Sequence, residues 1–291
     1  VSAVIIDGKA VAASVRAEVA TQVADLAASG VTPGLGAVLC GDNPGSAVYV
    51  RNKGRVAAEL GLHFDLRTPA ADSSTADILA IVEDMNADDR IDGILVQLPL
   101  PPQVDPDVVL DAISPAKDAD GLHPFNIGRL AQGAPAPVVA CTPSGCMELM
   151  RSHDVSLRGA RAVVVGRSAL VGRPMALLLL NADCTVTVCH SRTADLAGVC
   201  READILIAAT GRPGMISAAH VKPGACVIDV GTTRVDEKLR GDVDRESVEP
   251  IAGWLTPVPG GVGPMTIAML MRNTVALCAM RRGAGVAATP V

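Results

Sequence analysis

The chain has 291 residues, 49% of them hydrophobic, and a formal net charge of −6, which suits two ordinary domains, each with its own core. Acidic and basic residues are interspersed, so no basic face offers itself to a nucleic-acid backbone or an anionic membrane. No unbroken apolar run approaches the roughly 18 residues of a bilayer span, because the longest, near the C-terminus, is interrupted by Arg272 and Asn273.

Val4-Ile5-Ile6-Asp7-Gly8 reads as a short strand and turn without an export pattern, so the expectation is a soluble, cytoplasmic protein. Helical spacing of charges over Gly8 to Ser29, then an apolar strand from Pro33 to Cys40, opens a βαβ series. A helix from about Ser46 to Leu60 follows, then a strand near His63, a helix from about Thr75 to Met85, and a strand from Gly93 to Leu98 that ends at Pro99. The Gly-, Ala- and Pro-rich stretch from Leu130 to Pro137 marks a domain crossing, after which Thr142 is expected to cap a helix with Pro143 at its first position. A second series runs through strands Ala162 to Val165, Thr185 to Cys189, Ile205 to Ala209 and Cys226 to Val230, with a helix from about Gly172 to Leu180. A last helix, opened by Pro264, is expected to return to the first domain. The eight cysteines contain no CxxC and read as reduced core residues, with no metal site expected.

Such alternation implies two α/β domains with mostly parallel sheets: residues 1–141 plus 264–291, and a Rossmann-type domain over 142–263, with a cleft between them. In the second, Val163 to Pro174 runs from a buried strand through a Gly-containing turn into a helix, where backbone N–H groups suit a pyrophosphate. The glycine fingerprint is incomplete: Ser168 holds the middle position, and Val171 stands where the third glycine belongs, with Gly172 one place later. The next strand ends in His190-Ser191-Arg192-Thr193, with no acid to take a ribose 2′-hydroxyl. A hydroxyl and a guanidinium there, with Arg167 in the first turn, suit a 2′-phosphate and hence NADP. Thr210-Gly211 and Gly231-Thr232 end the next two strands and belong to the same rim.

In the first domain the only tyrosine, Tyr49, stands four residues before Lys53, so the two project from one helix face. Facing a site, the phenol would orient the amine, and partial burial would favour the neutral amine that proton transfer needs. Gln97, at a strand end, offers a donor and an acceptor, while a carboxylate at Asp118 or Asp120 would bind paired N–H donors of an amino-pyrimidinone ring. Pro257 to Thr266 forms a rigid loop with nearly bare backbone at Gly260, Gly261 and Gly263.

Six strings, Tyr49 to Lys53, Val96 to Pro101, Lys117 to Gly121, Gly166 to Pro174, Val227 to Gly231 and Pro257 to Thr266, occur in the order found in the methylenetetrahydrofolate dehydrogenase/cyclohydrolases, which the chain resembles over nearly its whole length. The resemblance implies NADP-dependent oxidation of a folate-bound methylene group and hydrolysis of the methenyl product in one-carbon metabolism, at one site, by a homodimer. It implies that Lys53 is the acid/base residue, Tyr49 stacks on the folate, Gln97 tunes Lys53 and Asp120 grips the pterin, with Asp118 in support. Val96, Leu98, Gly260, Gly261 and Pro264 complete the substrate site by the same resemblance. Arg167 and Ser191 would hold the 2′-phosphate, while Gly166, Ser168 and Thr232 line the cofactor. Thr232 departs from the bulky aliphatic residue of some relatives.

Overall fold

The computed structural model describes residues 2–283. The chain opens with strand β1 (Val4–Ile5) and helix α1 (Gly8–Ala28). The expected alternation follows in β2 (Gly34–Val38), α2 (Pro44–Glu59), β3 (His63–Arg67), α3 (Thr75–Ala87) and β4 (Gly93–Val96), then short helices α4 (Pro106–Asp111) and α5 (Pro124–Ala131). Beyond them lie α6 (Cys141–Arg151), β5 (Arg161–Val165), α7 (Gly172–Asn181), β6 (Thr185–Cys189), α8 (Leu196–Cys200), β7 (Ile205–Ala208) and β8 (Cys226–Asp229). The hairpin β9 (Thr233–Val235) and β10 (Lys238–Arg240), helix α9 (Arg245–Val248), β11 (Trp254–Leu255) and α10 (Val262–Arg282) complete the chain.

These elements form two compact units. One holds Ser14–Val139 and the chain from Met269 on, built on a parallel sheet of order β3-β2-β4. All five residues of β2 are buried, as a central parallel strand covered on both faces requires. Core residues Ile78, Val82 and Met85 of α3 pack with Val38, Ile94 and Val96, spaced at three and four so that one stripe of the helix meets the sheet. Ser74 starts that helix with a capping box, its backbone N–H and hydroxyl both bonded to Asp77. At the other end Lys117 is buried and donates from Nζ to the carbonyls of Met85 (3.1 Å) and Asp88 (2.8 Å), satisfying acceptors that the helix terminus leaves open.

The other unit holds the chain up to Ala13 and Ala140–Ala268, around a six-stranded sheet of order β1-β11-β8-β7-β5-β6 in which every neighbouring pair is parallel. Three details differ from the sequence reading. Strand β1 does not start the first sheet: Val4 and Ile5 pair with Trp254 and Leu255, so the N-terminal residues belong with the six-stranded sheet rather than within 1–141. Thr142 is not a helix cap. Ala140 occupies that position without a side-chain bond, and the Thr142 hydroxyl instead pairs with that of Thr266 at 2.9 Å. The last helix begins at Val262, two residues before Pro264, and the unit boundary falls within it at Ala268 and Met269.

Helix α10 is long and apolar enough to cross a membrane, and 61% of its most apolar window is buried inside the protein. Within the first unit its Asn273 donates to the carbonyls of Ala119 (2.9 Å) and Val139 (3.0 Å). Its C-terminal Arg281 and Arg282 reach Asp92 at 2.7 and 3.2 Å. Asp92 is fully buried and also accepts from the backbone N–H of Gly34 at 3.0 Å. The eight cysteines are all buried, and none is in a disulfide among the described residues.

Asp92→Asn keeps the volume but removes the charge that faces two guanidinium groups. Because both arginines retain some solvent contact, the expected loss is about 2–3 kcal/mol, below the range of fully buried pairs. A lowered urea midpoint for unfolding of this unit checks it; an unchanged midpoint would show that the ion pair contributes nothing net.

Candidate functional site

Helix α2 begins at Asn43, whose side chain accepts from the Ser46 N–H at 3.1 Å, with Pro44 in the first turn. Its buried positions are Ser46, Val50, Lys53, Val56 and Ala57. Lys53 therefore sits on the stripe that helical periodicity reserves for apolar residues, with only 7% of its surface exposed. Helix α2 can approach its sheet closely because residue 54 is glycine: a Cβ there would lie 2.6 Å from the Phe64 ring. Tyr49, one turn before Lys53, is 46% exposed and so presents an open ring beside a buried amine.

Lys53 Nζ donates to Gln97 Oε1 at 3.0 Å, and Gln97 Nε2 donates to the Leu98 carbonyl at 2.8 Å. The second bond fixes the amide orientation, since it commits the nitrogen end to the main chain and leaves the oxygen for Lys53. Gln97 stands just past β4, its own N–H bonded to the Val38 carbonyl at 2.9 Å. Val96 is buried, and Leu98 forms a cis peptide with Pro99.

The segment from Lys117 to Asp120 runs beside β4, with Ile94 donating to the Lys117 carbonyl and Ala119 donating back to Ile94. Asp118 is buried and accepts from the N–H groups of Leu122 (3.2 Å) and His123 (2.8 Å) and from Asn126 Nδ2 (2.8 Å). Three donors from its own chain occupy that carboxylate, which organises the entry to α5 rather than facing a ligand. Asp120, two residues on, is partly exposed.

In the six-stranded sheet the chain leaves β5 for β6 on one side and returns as β7 on the other, so the strand order reverses at β5. Such a reversal opens a crevice at the strands' C-terminal ends, where open α/β sheets take their ligands. Gly166 follows β5 with φ of +131°, and a Cβ there would lie 2.1 Å from the Ala209 carbonyl oxygen. A Cβ on Gly172 would lie 2.2 Å from the Gly166 carbonyl oxygen, so Gly172 does the close-packing work of the displaced third glycine. Ser168 Oγ accepts from Val171 N at 3.2 Å, which leaves its hydroxyl hydrogen to donate. Arg167 and Ser168 are exposed on this turn, as are Ser191 and Arg192 on the turn after the adjacent β6. The second turn is internally braced, His190 N bonding Thr193 Oγ1 at 2.9 Å and Arg192 N bonding His190 Nδ1 at 3.1 Å. These turns fit a dinucleotide: a bare, tightly folded backbone at Gly166 for the pyrophosphate, and a cation with a hydroxyl at neighbouring strand ends for a 2′-phosphate.

Thr232 is exposed just beyond β8. Beneath it lie two buried carboxylates that the sequence reading passed over. Asp229 accepts from the N–H groups of Gly231 (3.1 Å), Asp242 (2.8 Å) and Val243 (3.0 Å). Burial pushes its carboxyl up to about 7, against the pull of these bonds and with Asp242 adding to the rise. Asp242 accepts from the N–H groups of Thr210 and Gly211. An acid ending an otherwise apolar strand, Cys226-Val227-Ile228-Asp229, and a second acid directly after a glycine were the available signals.

In the Pro257 to Thr266 loop, Gly260 has φ of +108° and Val258-Pro259 is cis. What presses on the bare backbone at Gly261 includes the chain itself, because a Cβ on Gly8 would lie 1.8 Å from the Gly261 carbonyl oxygen. Pro264 lies in the first turn of α10.

Residues 6–120 match the family model for the tetrahydrofolate dehydrogenase/cyclohydrolase catalytic domain, and residues 140–282 match that for its NAD(P)-binding domain. The bifunctional protein FolD of Koribacter versatilis is 51% identical, over 97% of this chain and 98% of its own length. Among solved structures, the bifunctional methylenetetrahydrofolate dehydrogenase/cyclohydrolase of Campylobacter jejuni superposes with a TM-score of 0.94 at 42% identity, covering 96% of this chain and 100% of that one. The Trypanosoma brucei enzyme, complexed with NADP cofactor and inhibitor, gives 0.93 at 40% identity, covering 98% of this chain and 100% of that one. The chain belongs to the tetrahydrofolate dehydrogenase/cyclohydrolase family.

Proposed function

We propose that the protein oxidises 5,10-methylenetetrahydrofolate to 5,10-methenyltetrahydrofolate with NADP and hydrolyses the product to 10-formyltetrahydrofolate, using Lys53 for proton transfer in the hydrolysis. The observation that carries this reading is the buried Lys53 amine held on Gln97 at 3.0 Å. A lysine on a helix's buried stripe costs folding free energy, and groups held at such a cost cluster at functional sites. NADP supplies the hydride acceptor when bound.

In the hydrolysis, water adds to the cationic methenyl carbon and loses a proton. The resulting carbinol loses a second proton as its bond to N5 breaks and N5 gains one, so one proton is released overall. Lys53 Nζ, held by its bond to Gln97 Oε1, is the group that takes the proton from water. Tyr49 provides an open ring for stacking, Asp120 a carboxylate for the pterin's N–H donors, and Val96, Leu98, Gly260, Gly261 and Pro264 the remaining substrate contacts. Gly166, Ser168 and Thr232 line NADP, and Arg167 and Ser191 take its 2′-phosphate. The protein is further proposed to work as a cytoplasmic homodimer serving purine biosynthesis, without nucleic-acid or membrane partners. The interspersed surface charge and the burial of α10 support a soluble protein; the dimer rests on the family resemblance.

Lys53→Ser is expected to lower the cyclohydrolase rate at least about 100-fold, the scale of a lost general acid/base, with NADP affinity near that of the parent. Parental hydrolysis of methenyltetrahydrofolate by this variant would remove Lys53 from its role. Asp120→Ala is expected to weaken folate binding by about 1.5–3 kcal/mol, the value of a hydrogen bond to a charged group, measured as the inhibition constant of a folate analogue. Unchanged affinity would assign the pterin to other residues. Arg167→Ala combined with Ser191→Asp removes a cation and adds an anion where the 2′-phosphate is placed, so the preference for NADP over NAD should invert. Titrating both cofactors into parent and double variant reads this directly, and an unchanged order in a folded variant would place the 2′-phosphate elsewhere.

A further inference from the structure

Three loops at the C-terminal ends of the sheet strands meet on two carboxylates. Asp242 is completely buried and holds the backbone N–H groups of Thr210 and Gly211, the latter at 3.0 Å, from the loop after β7. Asp229, 4% exposed, holds Gly231 from the loop after β8 and Asp242 and Val243 from the segment that returns after β10. The packing admits only glycine at two neighbouring positions: a Cβ on Gly231 would lie 2.3 Å from the Asp242 carboxyl carbon, and one on Gly241 1.8 Å from Asp229 Oδ2. The returning segment is tied to the β7 side as well, through Gly214 N to the Gly241 carbonyl (3.1 Å) and Ile216 N to the Asp242 carbonyl (2.9 Å). Neither carboxylate is exposed to a ligand.

We propose that Asp242, locked in place by Asp229, is a positioning residue for the dehydrogenase reaction, setting the backbone of Thr210-Gly211 and Gly231-Thr232 in the arrangement that receives NADP. The proposal rests on the reading that this rim of the sheet holds the dinucleotide. A carboxylate suits the task because its oxygen accepts two adjacent N–H groups at once, so the turn after β7 is held at two points. Asp242 Oδ1 is buried with no hydrogen-bond partner among the described residues. An asparagine can keep its carbonyl oxygen on Thr210 and Gly211 and place its amide nitrogen where Oδ1 stands.

Methenyltetrahydrofolate hydrolysis involves no hydride transfer, which supplies an internal control. Asp242→Ala is expected to raise the NADP dissociation constant and KM by about 10-fold or more, the scale of lost hydrogen bonds to a charged acceptor, with cyclohydrolase kcat and KM within about two-fold of the parent. Asp242→Asn should restore NADP affinity to within about three-fold. Parental NADP affinity in Asp242→Ala, or equal losses in both activities, would overturn the proposal. If Asp242→Ala does not fold, Asp242→Ser serves in its place, with at least about three-fold weaker NADP binding expected and parental binding contradicting it. Ser168→Glu tests the underlying reading of the rim separately, since a carboxylate in the pyrophosphate turn should block NADP. Unchanged binding in Ser168→Glu refutes the rim itself, whereas a block there with no effect in Asp242→Ala refutes the positioning role alone.

Discussion

The hydrogen bond from Lys53 to Gln97 joins the two elements on which the catalytic unit is built, helix α2 and the end of strand β4. It requires a helix that approaches the sheet closely, which Gly54 permits against the Phe64 ring, and a strand end whose glutamine is already fixed by its neighbour's carbonyl. A buried amine held on a neutral acceptor is expensive in folding free energy. It persists where the surrounding structure holds it, and here the apolar stripe of α2 does so on either side of residue 53.

Around that bond the two carboxylates of the Lys117-Asp118-Ala119-Asp120 run divide their work. Asp118 closes three donors of its own chain and thereby shapes the turn that carries Asp120. Lys117 points the other way and terminates α3. One short string thus contains a helix cap and a loop organiser, an economy that follows from its position alongside β4. In the six-stranded sheet the same logic appears at Asp229 and Asp242, which hold backbone rather than ligand.

Most of the fold was legible in the sequence because its elements are periodic: the buried strands β2, β4, β5, β7 and β8 are apolar runs but for Arg161 at the start of β5 and Asp229 at the end of β8, and the helices between them carry stripes at three and four. Gly172 was legible as a displaced glycine, though its contact with the Gly166 carbonyl required coordinates. What escaped was long-range or short. Strand β1 has two residues, and its partner β11 lies some 250 positions away, so no local pattern records the pairing. Thr142 has the residue type of a cap, yet tertiary context placed its hydroxyl on Thr266. The roles of Asp229 and Asp242 depend on backbone N–H groups, which sequence alone does not locate. Among the site residues, Tyr49 and Lys53 were legible as an i, i+4 pair, but only the structure separates an exposed ring from a buried amine.

Turnover shows whether one protein performs both folate reactions. Purified protein is mixed with 5,10-methylenetetrahydrofolate and NADP, and reduced cofactor and methenyl product are followed separately. Reduced NADP should form in step with substrate loss while the methenyl species stays below it, drained to 10-formyltetrahydrofolate faster than in the absence of protein. Folded protein that forms no reduced cofactor, or that lets the methenyl product accumulate one for one with it, would contradict the account.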